Sequence, residues 1–242
     1  MGELLRMVLL GALVNGVAII IGTMLGKLLE RIPESMKNTV MNGIGLAIVV
    51  LGVQMGLKSG DFLIVILSLV IGAVAGEWIN IEDKFTRAGN WLERRVGSGG
   101  QGSISLGFVT ASLVYVVGAM AILGALDSGI KGDHQILYTK AIMDGFISVI
   151  LTSTLGVGVL FSAIPVVLYE GIIALLATQI TRFVPDALLN DCIAEMTAAG
   201  GIMIMAIGLN LLGVTKIKVA NLLPGILVAV LLVVLVHEFQ LN

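Results

Sequence analysis

The chain has 242 residues, of which 57% are hydrophobic and only 12% charged, and its mean hydropathy is +1.07. That composition excludes an ordinary soluble domain and makes this an integral membrane protein in contact with the lipid bilayer. A formal net charge of -2, unevenly spread, gives no support to a nucleic-acid partner, and the single cysteine, Cys192, excludes an intramolecular disulfide or a thiolate metal cluster.

A helical bilayer crossing needs about 20 mostly apolar residues. Backbone groups in lipid must pair within their own segment or in a closed barrel, and the apolar runs here are continuous rather than alternating, so helices are expected. In chain order the predicted spans are 7–29, 38–57, 62–79, 106–126, 137–156, 159–180, 193–212 and 219–237. The first run is too long for a signal-peptide core and lacks an A-x-A cleavage pattern, so it reads as a retained span. Only Gly156-Val157-Gly158 separates the fifth run from the sixth, and a single kinked or re-entrant element is the alternative there.

Between the third and fourth spans, Trp78, Ile81, Phe85, Ala88, Leu92 and Val96 recur at helical spacing opposite mostly charged positions. This predicts an amphipathic helix lying on the membrane surface as a topological anchor. GSGGQGS (97–103) follows as a flexible linker. Lys27, Arg31, Lys37, Lys84, Arg87, Arg94, Arg95, Lys216 and Lys218 fall at alternate connections on one side, against Arg6, Lys58, Lys131 and Arg182 on the other. The positive-inside rule makes the first side cytoplasmic and places both termini outside.

Two parts of the chain share a pattern. RIPESM (31–36) resembles FVPDAL (183–188), GIGLAIVVLGVQ (43–54) resembles AGGIMIMAIGLN (199–210), and LVIG (69–72) falls on LLPG (222–225). Span one runs inward and span six outward, so spans 1–3 and 6–8 form inverted three-helix repeats, an architecture of secondary transporters with a site near mid-membrane. The expected fold is an all-α polytopic membrane protein of about eight helices. It divides into a first repeat unit (1–79), the interfacial helix and linker (80–105), a central helical pair (106–158) and a second repeat unit (159–242).

A carboxylate at a helix centre costs on the order of 3 kcal/mol on insertion scales. Glu170, near the middle of span six, must therefore face protein, water or a partner, and it is the first candidate for a protonatable or cation-binding group. Asp144 lies inside span five with Lys140 one helical turn before it, so the two can share a face as site or as a self-satisfied pair. Ser153 and Thr154, within the Thr152-Ser153-Thr154 run, offer neutral ligands if the Gly156/Gly158 break opens the backbone, and otherwise serve packing. Asn15, Gln54 and Asn210 read as buried amides joining helices; Asn15 ranks first because span one corresponds to span six. Interfacial placement and helix-dipole complementarity account for Glu77 and Glu195. The pairs Gly22/Gly26, Gly52/Gly56 and Gly72/Gly76 permit close helix approach within the chain and leave homo-oligomerisation open.

Enzyme signatures are missing. His134 and His237 stand at predicted outer ends without further ligands, no nucleophile has an evident base, and there is no Walker A motif. No catalytic residue, metal or cofactor is assigned.

GALVNG near the start, GFVTASLVYVVGAMAILGAL (107–126), KAIMDG (140–145), TSTLGVGVLFSAIP (152–165) and GLNLLGVTKIKVANLLP (208–224) together resemble the YqgA/YdfK-like bacterial membrane proteins, a family of unknown function. The resemblance covers nearly the whole chain and implies a prokaryotic inner-membrane protein; it brings no substrate and no site residues. The residues themselves favour a secondary transporter of a small solute or ion coupled to a proton or cation, with Glu170, Asp144, Ser153, Thr154 and Asn15 as ligands and Lys140 as charge partner. An ion channel and a non-transporting scaffold or assembly protein are the alternatives.

Overall fold

A computed structural model describes residues 2–28, 34–96 and 104–241. Arg31, the 97–103 linker and the side chains of Ala88, Leu92 and Val96 lie outside the described residues. Every regular element described is helical: α1 (Gly2–Leu28), α2 (Glu34–Gly56), α3 (Phe62–Ile79), α4 (Ile81–Val96), α5 (Ile104–Val116), α6 (Ala119–Lys131), α7 (Gln135–Leu155), α8 (Ala163–Phe183), α9 (Asp186–Leu211) and α10 (Pro224–Leu241), with 3₁₀ turns at Val157–Ser162 and Val219–Leu222. Among the described residues seven segments are long and apolar enough to cross a membrane, and α5 with α6, bent by 62°, supplies an eighth candidate. The apolar run read as span four is thus a broken one, with Gly118 at the break in a positive-φ conformation that favours glycine (φ 147°).

Spans five and six are separate helices. α7 ends at Gly156, whose φ of 83° again favours glycine, and the chain continues through the 3₁₀ turn into α8. Pro165 sits in the first turn of α8, where its missing N–H has no intrahelical acceptor to lose. The helix predicted from Trp78 to Val96 is also divided: Asn80 adopts the left-handed conformation, ends α3 and lets α4 begin at Ile81. Trp78 therefore belongs to the end of α3, where it is exposed.

The chain forms two compact units, one of residues 1–40, 86–116 and 120–183, the other of residues 41–85, 117–119 and 184–242. In the first, α1 packs along α7 and α8. A Cβ at Gly26 would stand 2.5 Å from the Val149 carbonyl oxygen, and one at Gly22 would stand 2.9 Å from Ser148 Cβ, so only hydrogen fits at either position. Lipid offers no hydrophobic drive between helices, and such close approach is how they gain van der Waals contact.

In the second unit α2 meets α9 and α3 meets α10, again through glycine. Cβ atoms on Gly52 and Gly208 would lie 2.5 Å from Gly201 O and 2.7 Å from Gly45 O respectively, and one on Gly72 would collide with the Gly225 backbone. All three GxxxG pairs are thus used within the chain. The turn between α2 and α3 is held by Glu195, which accepts hydrogen bonds from the Ser59 hydroxyl (2.7 Å) and the Gly60 (2.7 Å) and Asp61 (3.0 Å) amides. Helix α9 begins at Asp186, after Pro185, rather than at the start of the apolar run. Glu195 consequently lies in its third turn and is buried. At the other end, Glu77 pairs with Lys218 (2.6 Å) and Asn221, while Asn221 accepts from the Glu82 amide (2.7 Å) and Glu82 accepts from the Ala220 amide (2.9 Å).

Candidate functional site

A helix places residues four apart on one face. On α7 that spacing aligns Lys140, Asp144, Ser148 and Thr152, and all four side chains are buried. Lys140 bonds to Asp144 Oδ2 one turn below it. From α1, Asn15 donates one amide hydrogen to Asp144 Oδ2 (3.0 Å) and the other to Glu170 Oε1 (2.8 Å). The Lys140 ammonium also reaches Glu170 Oε1 at 3.4 Å. Four candidate residues, Asn15, Lys140, Asp144 and Glu170, therefore converge from α1, α7 and α8, and Asn15 and Glu170 are 0% exposed.

The cluster is deep in its helices. Asp144 lies about 14 Å along α7 and Glu170 about 11 Å along α8, at the usual rise per residue, against a hydrocarbon thickness of about 30 Å. Its charges do not cancel: with both carboxylates ionised, one ammonium leaves a single negative charge in excess. Burial of that excess is costly without a further positive partner. Two acceptor atoms, Glu170 Oε2 and Asn15 Oδ1, are buried without a hydrogen-bond partner. With both carboxylates ionised the arrangement thus offers one net negative charge and two buried, unpartnered oxygens, chemistry that suits uptake of a proton or a small cation. Among the described residues no three His, Cys, Asp or Glu side chains converge to hold a metal ion.

Ser153 and Thr154 stand apart from this cluster. Nine residues of helix turn Ser153 to the side of α7 opposite Asp144, and its hydroxyl donates to the Ile150 carbonyl (2.8 Å), while that of Thr154 donates to the carbonyls of Ile150 (3.2 Å) and Leu151 (3.0 Å). Two residues not singled out in the sequence adjoin the site instead. Tyr115 of α5 shares a 2.7 Å hydrogen bond with Ser148, and its ring centroid lies 6.0 Å from the Lys140 ammonium. The four-residue spacing from Asp144 was the available signal for Ser148; nothing in the sequence singles out Tyr115.

The other two amides are not buried links between helices. Gln54 is exposed on α2, and Asn210 fastens the loop after α9, donating to Ile217 O (2.8 Å) and accepting from Thr215 Oγ1 (2.7 Å) and Ile217 N (2.9 Å). Neither joins one helix to another through these bonds.

Residues 10–234 match the family model described as "Protein of unknown function (DUF554)". The chain belongs to the DUF554 family. Among DUF554-like relatives, the "Uncharacterized membrane protein YdfK" of Bacillus subtilis (strain 168) is 31% identical, over 96% of this chain and 99% of its own length. The "Uncharacterized protein YqgA" of Escherichia coli (strain K12) is 27% identical, over 91% of this chain and 94% of its own. The likeness runs through α1, α7 and α8, the helices that build the buried cluster. No solved structure matches the chain. These findings make it a multi-pass membrane protein with bacterial membrane-protein homologues.

Proposed function

We propose that this protein is a secondary transporter that moves a small solute or ion across the bacterial inner membrane, coupled to a proton or a cation, with both termini on the outer side. The observation that carries the proposal is the convergence of two carboxylates, Asp144 and Glu170, on one ammonium, Lys140, and one amide, Asn15, at mid-helix depth. Ionisable groups at that depth are expensive, and in membrane proteins they mark ion and substrate pathways. Glu170 is the coupling carboxylate, Asp144 the second charge partnered by Lys140, and Asn15 the neutral ligand that bridges them. Ser153 and Thr154 join the ligand set only if the last turn of α7 unwinds at Gly156.

The inverted repeat supports the same reading. If residues 43–54 correspond to 199–210, Gly45 maps to Gly201 and Gly52 to Gly208. The contact of Gly52 with Gly201 then becomes, on exchange of the repeats, the contact of Gly208 with Gly45. Aligning 69–72 with 222–225 makes the Gly72 to Gly225 contact its own image. Such reciprocity is the mark of a two-fold relation, and two-fold related repeats are the frame on which many transporters alternate access.

The test is flux. Purified protein in proteoliposomes on a solid-supported membrane, under imposed proton and sodium gradients with a panel of small metabolites, should give a solute- or ion-dependent current that Glu170→Gln abolishes while the variant remains folded. Absence of current and of labelled-solute uptake from folded wild type would move the assignment to a non-transporting scaffold; a current unchanged by Glu170→Gln would remove Glu170 from the coupling role.

A further inference from the structure

We infer that the charge loaded at this site is a proton, and that it reaches Glu170 through a lane of buried hydroxyls between α1, α5 and α7, with Ser148, Tyr115 and Thr152 as its relay. The inference rests on the reading of Glu170 as the coupling carboxylate. It adds the identity of the ion and the side from which it arrives.

The lane follows from how α1 lies on α7. Asn15 meets Asp144, Gly22 meets Ser148, and Gly26 meets Thr152, so the two helices run in the same direction with a polar face between them. Below the carboxylates this face carries the Tyr115 to Ser148 hydrogen bond. It also carries the hydroxyl of Thr152, which faces Gly26 of α1. That hydroxyl is buried and lacks a hydrogen-bond partner in the protein. Tyr115 and Ser148 already share one link of such a relay; the Thr152 hydroxyl, which can both accept and donate, is the next buried polar group along α7 and joins them through a bridging water, taking a proton on a lone pair and passing on its own. The net step is transfer of one proton from hydronium to the Glu170 carboxylate, giving a carboxylic acid and water. The lane runs toward the C-terminal end of α7 and of α1, the end that bears Lys27.

In the opposite direction the face of α7 turns apolar at Leu137, below the Ser128–His134 hydrogen bond at the helix start. One turn before Lys140, Leu137 is 0% exposed. Its side chain fills the space over two glycines, lying 2.6 Å from a Cβ built on Gly11 of α1 and 2.9 Å from one built on Gly124 of α6. An apolar side chain seated this tightly gives a proton no acceptor to step onto.

The ligand inventory favours a proton over a metal cation. Hard cations take about six or more oxygens or keep much of their water, whereas the buried unpartnered acceptors at the site are Glu170 Oε2 and Asn15 Oδ1, and the Asp144 carboxylate is already engaged by Lys140 and Asn15. The Lys140 ammonium, 3.4 Å from Glu170 Oε1, would also place a like charge beside any metal ion. A proton needs one lone pair and no coordination shell. The titratable groups around Glu170 are Lys140 and Asp144 of α7 and its own neighbour Tyr169; Tyr115 of α5 faces Lys140 and Ser148, and α1 contributes the amide of Asn15 at this depth.

The test is infrared difference spectroscopy on the full-length protein in vesicles of Escherichia coli polar lipid, with pH jumps and with sodium or potassium as the only added cation. Wild type should show a protonated-carboxyl band on acidification that is missing in Glu170→Gln and indifferent to sodium. The band should rise more slowly, by about tenfold or more, in Thr152→Val and Ser148→Ala, because each lost relay group adds a barrier of the order of one hydrogen bond. Thr152→Ser should restore the rate. No Glu170-dependent band would overturn the coupling assignment itself. A band that sodium suppresses would overturn the proton, and unchanged rates in both hydroxyl variants, with the band intact, would overturn the lane alone.

Discussion

Asn15 and Glu170, 155 positions apart in sequence, meet at 2.8 Å with both side chains fully buried. Because the second amide hydrogen of Asn15 goes to Asp144, one neutral side chain holds two carboxylates at a fixed separation. An aspartate there would add a third negative charge, and a leucine would leave both carboxylates short of a donor. The amide supplies hydrogen bonds without altering the charge balance set by Lys140.

Lys140→Met should be the most damaging single change in the cluster. Removing one partner of a buried ion pair typically costs about 3–5 kcal/mol, since the remaining charge is stranded. Here two carboxylates are stranded. Adding Glu170→Gln to Lys140→Met should recover part of the loss, and a double-mutant cycle on unfolding in mixed micelles checks this. Additive losses would mean that Lys140 and Glu170 do not share a charge balance.

Gly52→Ala and Gly208→Ala should each destabilise the second unit by about 1–3 kcal/mol, the usual range for overpacking. Their costs should be similar, because the contacts at the two positions correspond. Gly43→Ala on α2 has open space around its Cβ and should instead be neutral or stabilising, since alanine is the better helix former. Thermal unfolding in detergent separates the three.

Glu195→Ala should loosen the turn between α2 and α3 while leaving the buried cluster of the first unit unchanged. The Gly60 and Asp61 amides lose a charged acceptor, a hydrogen-bond class worth about 1.5–3 kcal/mol, so their hydrogen exchange should quicken by about tenfold or more. Exchange mass spectrometry on peptides spanning 57–63 reads this directly.

Leu137→Ala should make vesicles containing the protein leak protons, because it removes the carbon that closes the lane on one side of the carboxylates. Leu137→Met keeps the volume and should stay tight. A pH dye trapped in the vesicles measures both. Equal tightness in the two variants would place the barrier elsewhere.

Length and hydropathy made the spans legible, because a helix that crosses lipid must be apolar for its whole length. They could not show the break at Gly118, since hydropathy is a sum and carries no direction. Asn80 escaped for a related reason: helical spacing continues from Trp78 to Val96 straight through a residue whose backbone leaves the helix. Within the site, Asn15, Lys140, Asp144 and Glu170 were legible from the cost of polarity in apolar segments. The choice among hydroxyls was not, because which of Ser148, Thr152, Ser153 and Thr154 shares a face with Asp144 depends on rotation about α7, and a helix hydrophobic on all sides gives no phase. Gln54 and Asn210 failed for want of depth, one exposed on its helix and the other placed at a loop.

In the proposed transporter, the depth of Glu170 would also tie its occupancy to voltage. One elementary charge moved across a membrane potential changes in energy by about 2.3 kcal/mol per 100 mV. A charge that enters from one face and stops near the midplane feels about half of that, close to the 1.4 kcal/mol that corresponds to one pH unit. Any proton or cation that settles beside Glu170 is therefore drawn in or driven out by the potential as well as by its own concentration. A cell's energised state would set how often the site is filled before any solute arrives.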